Sequence, residues 1–187
     1  MKKNIQTGFT LIEIIVVIAI IAILSAVGYA SFGDARAQAR DKTRLASLQE
    51  LQLALELYKN NDSQGRYPEA GCSQGANVWV GPGTHTWADG NDTDCPEYMV
   101  GLVPTFLPEL PKDPKDDSVS NKGFVYKVST DRKAYKVVVY NTVEALRVTS
   151  YNHEFARCPK GNNTIECPDV SPQPTSYAIY SAGAESW

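Results

Sequence analysis

From Phe9 to Asp62 the chain has no proline, so nothing in that stretch forbids one long helix. Charge is also scarce at its start: between Phe9 and Phe32 the only ionisable group besides Tyr29 is Glu13. Histidine is nearly absent, with only His85 and His153, and both read as surface or turn residues. There is no nucleophile elbow, no His-Glu-x-x-His helix and no glycine-rich phosphate loop, so a catalytic role finds no motif to rest on. Positive charge is not in excess either. The formal net charge is -3, and removal of Lys2 and Lys3 would take it to -5, which argues against a general nucleic-acid surface. The four cysteines lack zinc-site spacing, since Cys72 and Cys95 are far apart and Cys158 and Cys167 do not follow the short two-to-four-residue rule.

What the start of the chain does contain is a basic leader, Lys2 and Lys3, then Gly8-Phe9-Thr10-Leu11-Ile12-Glu13, then an apolar run to Phe32. That run is about as long as the roughly 20 residues of a bilayer-spanning helix. A lone carboxylate inside it costs at least about 2.5 kcal/mol, so a partner or a function should accompany Glu13. An ordinary secretory signal cleaved near Gly28-Tyr29-Ala30 is an alternative, although it gives the Gly8 to Glu13 segment no purpose. A plain anchor with Glu13 reaching the headgroups is another. The topology is undecided by charge: Lys2 and Lys3 favour a cytoplasmic N-terminus, whereas Arg36, Arg40, Lys42 and Arg44 oppose it.

The leader ending in Gly8, followed by Phe9 and the Thr-Leu-Ile-Glu run, resembles the class III signal of type IV pilins and type II secretion pseudopilins. The resemblance implies cleavage after Gly8 by a prepilin peptidase, methylation of Phe9 as the new N-terminus, and an assembly role for Glu13, paired with the N-terminal amine of a neighbouring identical subunit. It further implies insertion in the bilayer with a cytoplasmic N-terminus, a membrane assembly platform as partner, and an extracytoplasmic or cell-surface filament as destination. No specific nucleic-acid partner is expected.

Past Phe32 the sequence is rich in strong helix formers. Leu45, Leu48, Leu51, Leu55 and Tyr58 recur at three- and four-residue steps and make a core-facing stripe. Arg36, Arg40 and Arg44 line another face, read as solvated surface or as a contact with lipid headgroups or an adjacent subunit. One helix from Phe9 to Asn60 would be about 78 Å long at 1.5 Å per residue, with Gly28 and Gly33 as its weak points. Gly65 and Pro68 end it.

The expected organisation is a leader over 1–8, a transmembrane and polymerisation half over 9–32, an extracytoplasmic helical half over 33–62 and a globular domain over 63–187. The fold class is α+β, a long N-terminal helix packed on a small antiparallel sheet. Phe124, Tyr126 and Val128 alternate with polar or outward positions, Thr130-Asp131-Arg132 makes a turn, and Tyr135, Val137 and Val139 alternate in return, so a hairpin can cover the leucine stripe. Residues 143–157 fit a strand or a helix, and 176–181 reads as a last short strand. An exported domain with four cysteines favours two disulfides; the most local pairing is Cys72 with Cys95 and Cys158 with Cys167.

Between the first pair lies a long Gly-, Asn-, Asp- and Thr-rich loop in which Trp79 and Trp87 suggest a small satellite core. No cofactor is expected, with one reservation: Asp89, Asn91, Asp92 and Asp94 offer oxygen ligands suited to calcium, although the EF-hand pattern is missing and a solvated acidic turn explains them as well. Two short stretches resemble major pseudopilins: 107–114, similar to their Leu-Pro-x-Asp-Pro segment, and 181–185, similar to the ending whose loop binds calcium, here with Glu185 as the acid. Three functions stay open: a structural pilin, the major pseudopilin of a secretion system, and a membrane-anchored binding protein that never assembles.

Overall fold

The computed structural model describes residues 9–72, 76–82, 95–115, 122–157, 174–185 and 187, and the side chains of 26–31 are outside that description. One helix, α1 (Leu11–Asn61), is followed by three strands, β1 (Gly123–Val128), β2 (Tyr135–Tyr140) and β3 (Tyr177–Tyr180). This is the expected α+β arrangement of a long N-terminal helix and a small antiparallel sheet. The chain divides into two compact units, Met1–Ala37 and Gln38–Trp187.

Among the described residues of the first unit there is no sheet or loop for the helix to pack on. Leu11, Ile12, Ile18, Ile23 and Leu24 are each more than half exposed, an arrangement that water does not favour for so continuous an apolar surface.

In the second unit the leucine stripe is buried as its spacing predicts. Leu48, Leu51 and Leu55 join Phe124, Tyr126, Val128, Tyr135, Val137, Val139, Tyr177 and Ile179 in one core, with Leu45 and Tyr58 packed at its margin. The strands run in the order β1-β2-β3. Register places Tyr126 opposite Val137 and Val137 opposite Ile179, so the alternating set of all three strands falls on the helix side. Val125, Val138 and Ala178 form the opposite face, against which Trp79 packs.

Helix α1 ends where its sequence stops supporting it. Gly65 adopts a positive φ of 60°, and the Asp62 carboxylate accepts the backbone N–H groups of Gln64 and Arg66. The hairpin turn closes over this exit: Lys133 Nζ donates to the carbonyls of Gln64 and Gly65, and Arg132 Nε to that of Tyr67 at 2.7 Å. Three buried tyrosines then tether irregular segments by their hydroxyls, Tyr126 to Pro68 O, Tyr98 to Pro111 O and Tyr177 to Leu146 O.

Both outer strands of the sheet meet coil. Val80 bridges to Tyr126 beside β1, and the Ala178 N–H of β3 donates to Phe155 O at 2.9 Å. Close approach makes glycine necessary at Gly81, where an added Cβ would lie 2.2 Å from Phe124 O, and at Gly71, where it would lie 1.9 Å from Glu97 O. Residues 143–157, compatible with either strand or helix in sequence, are neither: they run as turns and coil, fixed by the contacts described next.

Candidate functional site

The start of α1 is built by its own first residues. Thr10 N–H and Thr10 Oγ1 both donate to Glu13 Oε2, at 2.8 and 2.6 Å, while Glu13 N–H points to Thr10 Oγ1 at 3.4 Å. This reciprocal pair is a capping box, which satisfies backbone N–H groups that the first helical turn leaves without partners. A sequence signal existed for it, since Thr10-Leu11-Ile12-Glu13 is a Thr-x-x-Glu followed by an apolar run; weighing Glu13 only as a charge among apolar residues passes over it. Phe9, immediately before, is 86% exposed. Gly8 lies outside the described residues. Among the described residues no helix is long and apolar enough to cross a membrane, and the side chains of 26–31, in the expected span, are not among them.

The arginine row follows its sequence expectation only at Arg36, which is exposed. Arg44 is not a solvated or lipid-facing residue; its side chain is fully buried, and Arg40 is half-buried. Arg44 forms a two-pronged pair with Asp113, Nε to Oδ2 at 2.9 Å and Nη2 to Oδ1 at 2.7 Å, and its Nη1 donates to Asp41 at 2.7 Å and to Glu144 at 3.3 Å. Arg40 makes its own two-pronged pair with Glu144, both bonds at 2.7 Å. Asp41, also buried, accepts the backbone N–H groups of Glu144, Ala145 and Leu146. The physical reason for the departure is that these acids neutralise the guanidinium groups and replace their water.

The electrostatics follow from these contacts. The hydrogen bonds from Arg40, helped by Arg44, hold the Glu144 carboxyl at about 2 against an ordinary 4.5. Burial pushes the Asp113 carboxyl up, but the Arg44 pair outweighs it and leaves it lowered. Arg44 is likewise opposed by burial and kept charged above its ordinary value by Asp113, Asp41 and Glu144. Within the second unit, the cluster ties the Arg40 to Arg44 turn of the helix to the 107–114 stretch and the 143–157 segment.

Of the cysteines, Cys72 and Cys95 are joined as a disulfide with their Cα atoms 5.7 Å apart. Cys158 and Cys167 lie outside the described residues, as do Trp87, His85 and the calcium candidates Asp89, Asn91, Asp92 and Asp94. Trp79, expected in a satellite core, is half-buried on the outer sheet face, with Lys127 Nζ 5.6 Å from its ring centroid. At the 181–185 turn, Glu185 Oε2 accepts the Gly183 N–H, and Lys136 Nζ donates to the carbonyls of Glu185 and Trp187. His153 uses Nδ1 to accept the Phe155 N–H, a turn contact.

Comparison with known proteins bears on the same N-terminal segment. The prokaryotic N-terminal methylation motif matches residues 3–29. Beyond that motif the chain is similar to type IV pilins over part of its length. It is 37% identical over 75 residues to the type IV major fimbrial protein FimA of Dichelobacter nodosus, covering 39% of this chain and 45% of that protein. It is 42% identical over 75 residues to the type IV major pilin protein PilE1 of Neisseria gonorrhoeae, covering 39% of this chain and 43% of that protein. The chain spans less than half the length of these relatives in its alignments to them. No solved structure gives a significant match.

Proposed function

We propose that the chain is a structural subunit, not an enzyme, that a prepilin peptidase cleaves after Gly8, that is methylated at Phe9, and that polymerises with identical copies into an extracytoplasmic filament. The observation that carries this reading is the exposed apolar first part of α1, headed by Phe9, Thr10 and Glu13 and coinciding with the methylation motif. Before assembly that surface resides in the bilayer with its N-terminus on the cytoplasmic side, where the assembly platform takes it up; afterwards it packs on its own kind. The coil segments beside β1 and β3 support helix packing over strand addition, because neither outer strand offers an unobstructed edge.

Glu13 then pairs with the Phe9 amine of an incoming copy. Two opposite charges about 4 Å apart attract by about 4 kcal/mol at an effective dielectric of 20, before desolvation and ordering subtract from it. Glu13→Ala leaves the second unit folded and lowers filament abundance at matched membrane level, which electron microscopy of sheared surface fractions measures. Normal abundance would remove Glu13 from the assembly contact.

A secretion pseudopilus is the second reading. It is favoured by the 107–114 stretch, whose Asp113 anchors the buried Arg44. Genes for a secretin and a secretion ATPase beside this one would support it.

A further inference from the structure

We infer that Thr10 is a positioning residue for assembly: it holds one oxygen of Glu13 in the free subunit so that the other is presented to an incoming cation. The inference rests on the filament reading above. A carboxylate among apolar side chains needs donors before any neighbour arrives, and burial without them is costly. Thr10 supplies two, its N–H and its hydroxyl, and both converge on Oε2 of Glu13 at 2.8 and 2.6 Å. Among the described residues none reaches Oε1 at hydrogen-bond distance. The two oxygens are therefore divided between tasks, Oε2 to the helix start and Oε1 to the amine of a second copy.

The same contacts fix the side chain in place. Glu13 would otherwise have three free torsions, and ordering them at the moment of docking would weaken the contact. The Glu13 N–H near Thr10 Oγ1 at 3.4 Å and the Ile14 N–H bonded to Thr10 O at 3.4 Å keep the first turn formed around it. A threonine hydroxyl does what a methyl of the same shape cannot, because only the hydroxyl both donates to the carboxylate and accepts from the backbone.

Thr10→Val removes the hydroxyl with little change of volume and keeps the backbone N–H. Thr10→Ser restores the hydroxyl on a smaller side chain. The experiment expresses each full-length variant at matched membrane level, verifies the mature N-terminus by mass spectrometry, and measures filament per processed subunit. Thr10→Val is expected to lower that ratio about fivefold, the size of a lost N-cap, and Thr10→Ser to return it to near the parent value. A parent-like ratio for Thr10→Val, or a Thr10→Ser variant as defective as Thr10→Val, would overturn the role of the hydroxyl. So would a defect confined to cleavage, with normal filament per processed chain. Glu13→Ala, run alongside, separates the two levels: if it too assembles normally, the filament contact at Glu13 fails and not merely its positioning.

Discussion

Replacing Arg44 with leucine tests whether the buried charge cluster holds the second unit together. The substitution keeps an apolar stem but deletes four hydrogen bonds to carboxylates, two to Asp113 and one each to Asp41 and Glu144. It also leaves three acids converging on a site whose centre is fully buried. Removing one partner of a buried pair costs about 3–5 kcal/mol, because the remaining charges lose their compensation while staying out of water. Against a total stability of about 5–15 kcal/mol for a domain, that is a large fraction. For a unit of this size it should lower the melting midpoint by about 10 °C. Arg40→Gln is the control. Its pair with Glu144 is partly open to solvent, with side chains 29% and 23% exposed, so the loss should be about 1 kcal/mol. Adding Asp113→Asn to Arg44→Leu should recover part of the loss, since it removes one of the stranded charges. Circular dichroism melts of the full chain in detergent read all four states. An Arg44→Leu midpoint within about 2 °C of the parent, or no different from Arg40→Gln, would refute the cluster as the anchor of the 143–157 segment.

The same acids set a pH dependence. Glu144 has a lowered folded-state value of about 2 against 4.5, so its stabilisation is complete above the ordinary value and is lost as pH falls from about 4.5 towards 2. Asp113, also lowered, acts in the same direction. Urea midpoints should therefore be flat above about pH 5 and decline below it, less steeply in Glu144→Gln; an equal decline in that variant would contradict the assignment. Glycine substitutions should split by environment. Gly71→Ala places a Cβ 1.9 Å from Glu97 O and should cost at least about 1–3 kcal/mol, whereas Gly33→Ala meets nothing within 4 Å and should raise helicity, gaining up to about 1 kcal/mol. Thermal melts and far-ultraviolet ellipticity compare the two, and similar effects at both positions would speak against the described backbone approach.

Periodic features were legible in the sequence because they depend on near neighbours. The leucine stripe from Leu45 to Tyr58 and the alternation through Phe124–Val128 and Tyr135–Val139 specify faces before any partner is known, and they meet in one core. The disulfide between Cys72 and Cys95 follows from the low cost of closing a local loop. Arg44 was not legible in that way. It continues the four-residue spacing of Arg36 and Arg40, which matches a solvated row, and its burial depends on Asp113 and Glu144, 69 and 100 residues further along the chain. Residues 143–157 escaped for the same reason: the backbone N–H groups of Glu144, Ala145 and Leu146 are satisfied by the Asp41 side chain, and those of Val143 and Val148 by the carbonyls of Thr175 and Pro174, not by a ladder that a local pattern could announce. At the N-terminus the chemistry was visible and its local use was not, since the Thr10 and Glu13 pairing answers part of the cost of placing a carboxylate in an apolar run.

The central claim, a subunit processed for assembly through its N-terminal helix, is tested most directly by N-terminal mass spectrometry of a sheared filament fraction. The account predicts a mature chain that begins at Phe9 and carries one N-terminal methyl group. A filament-free preparation in which the chain begins near residue 31, or still at Met1, would contradict it.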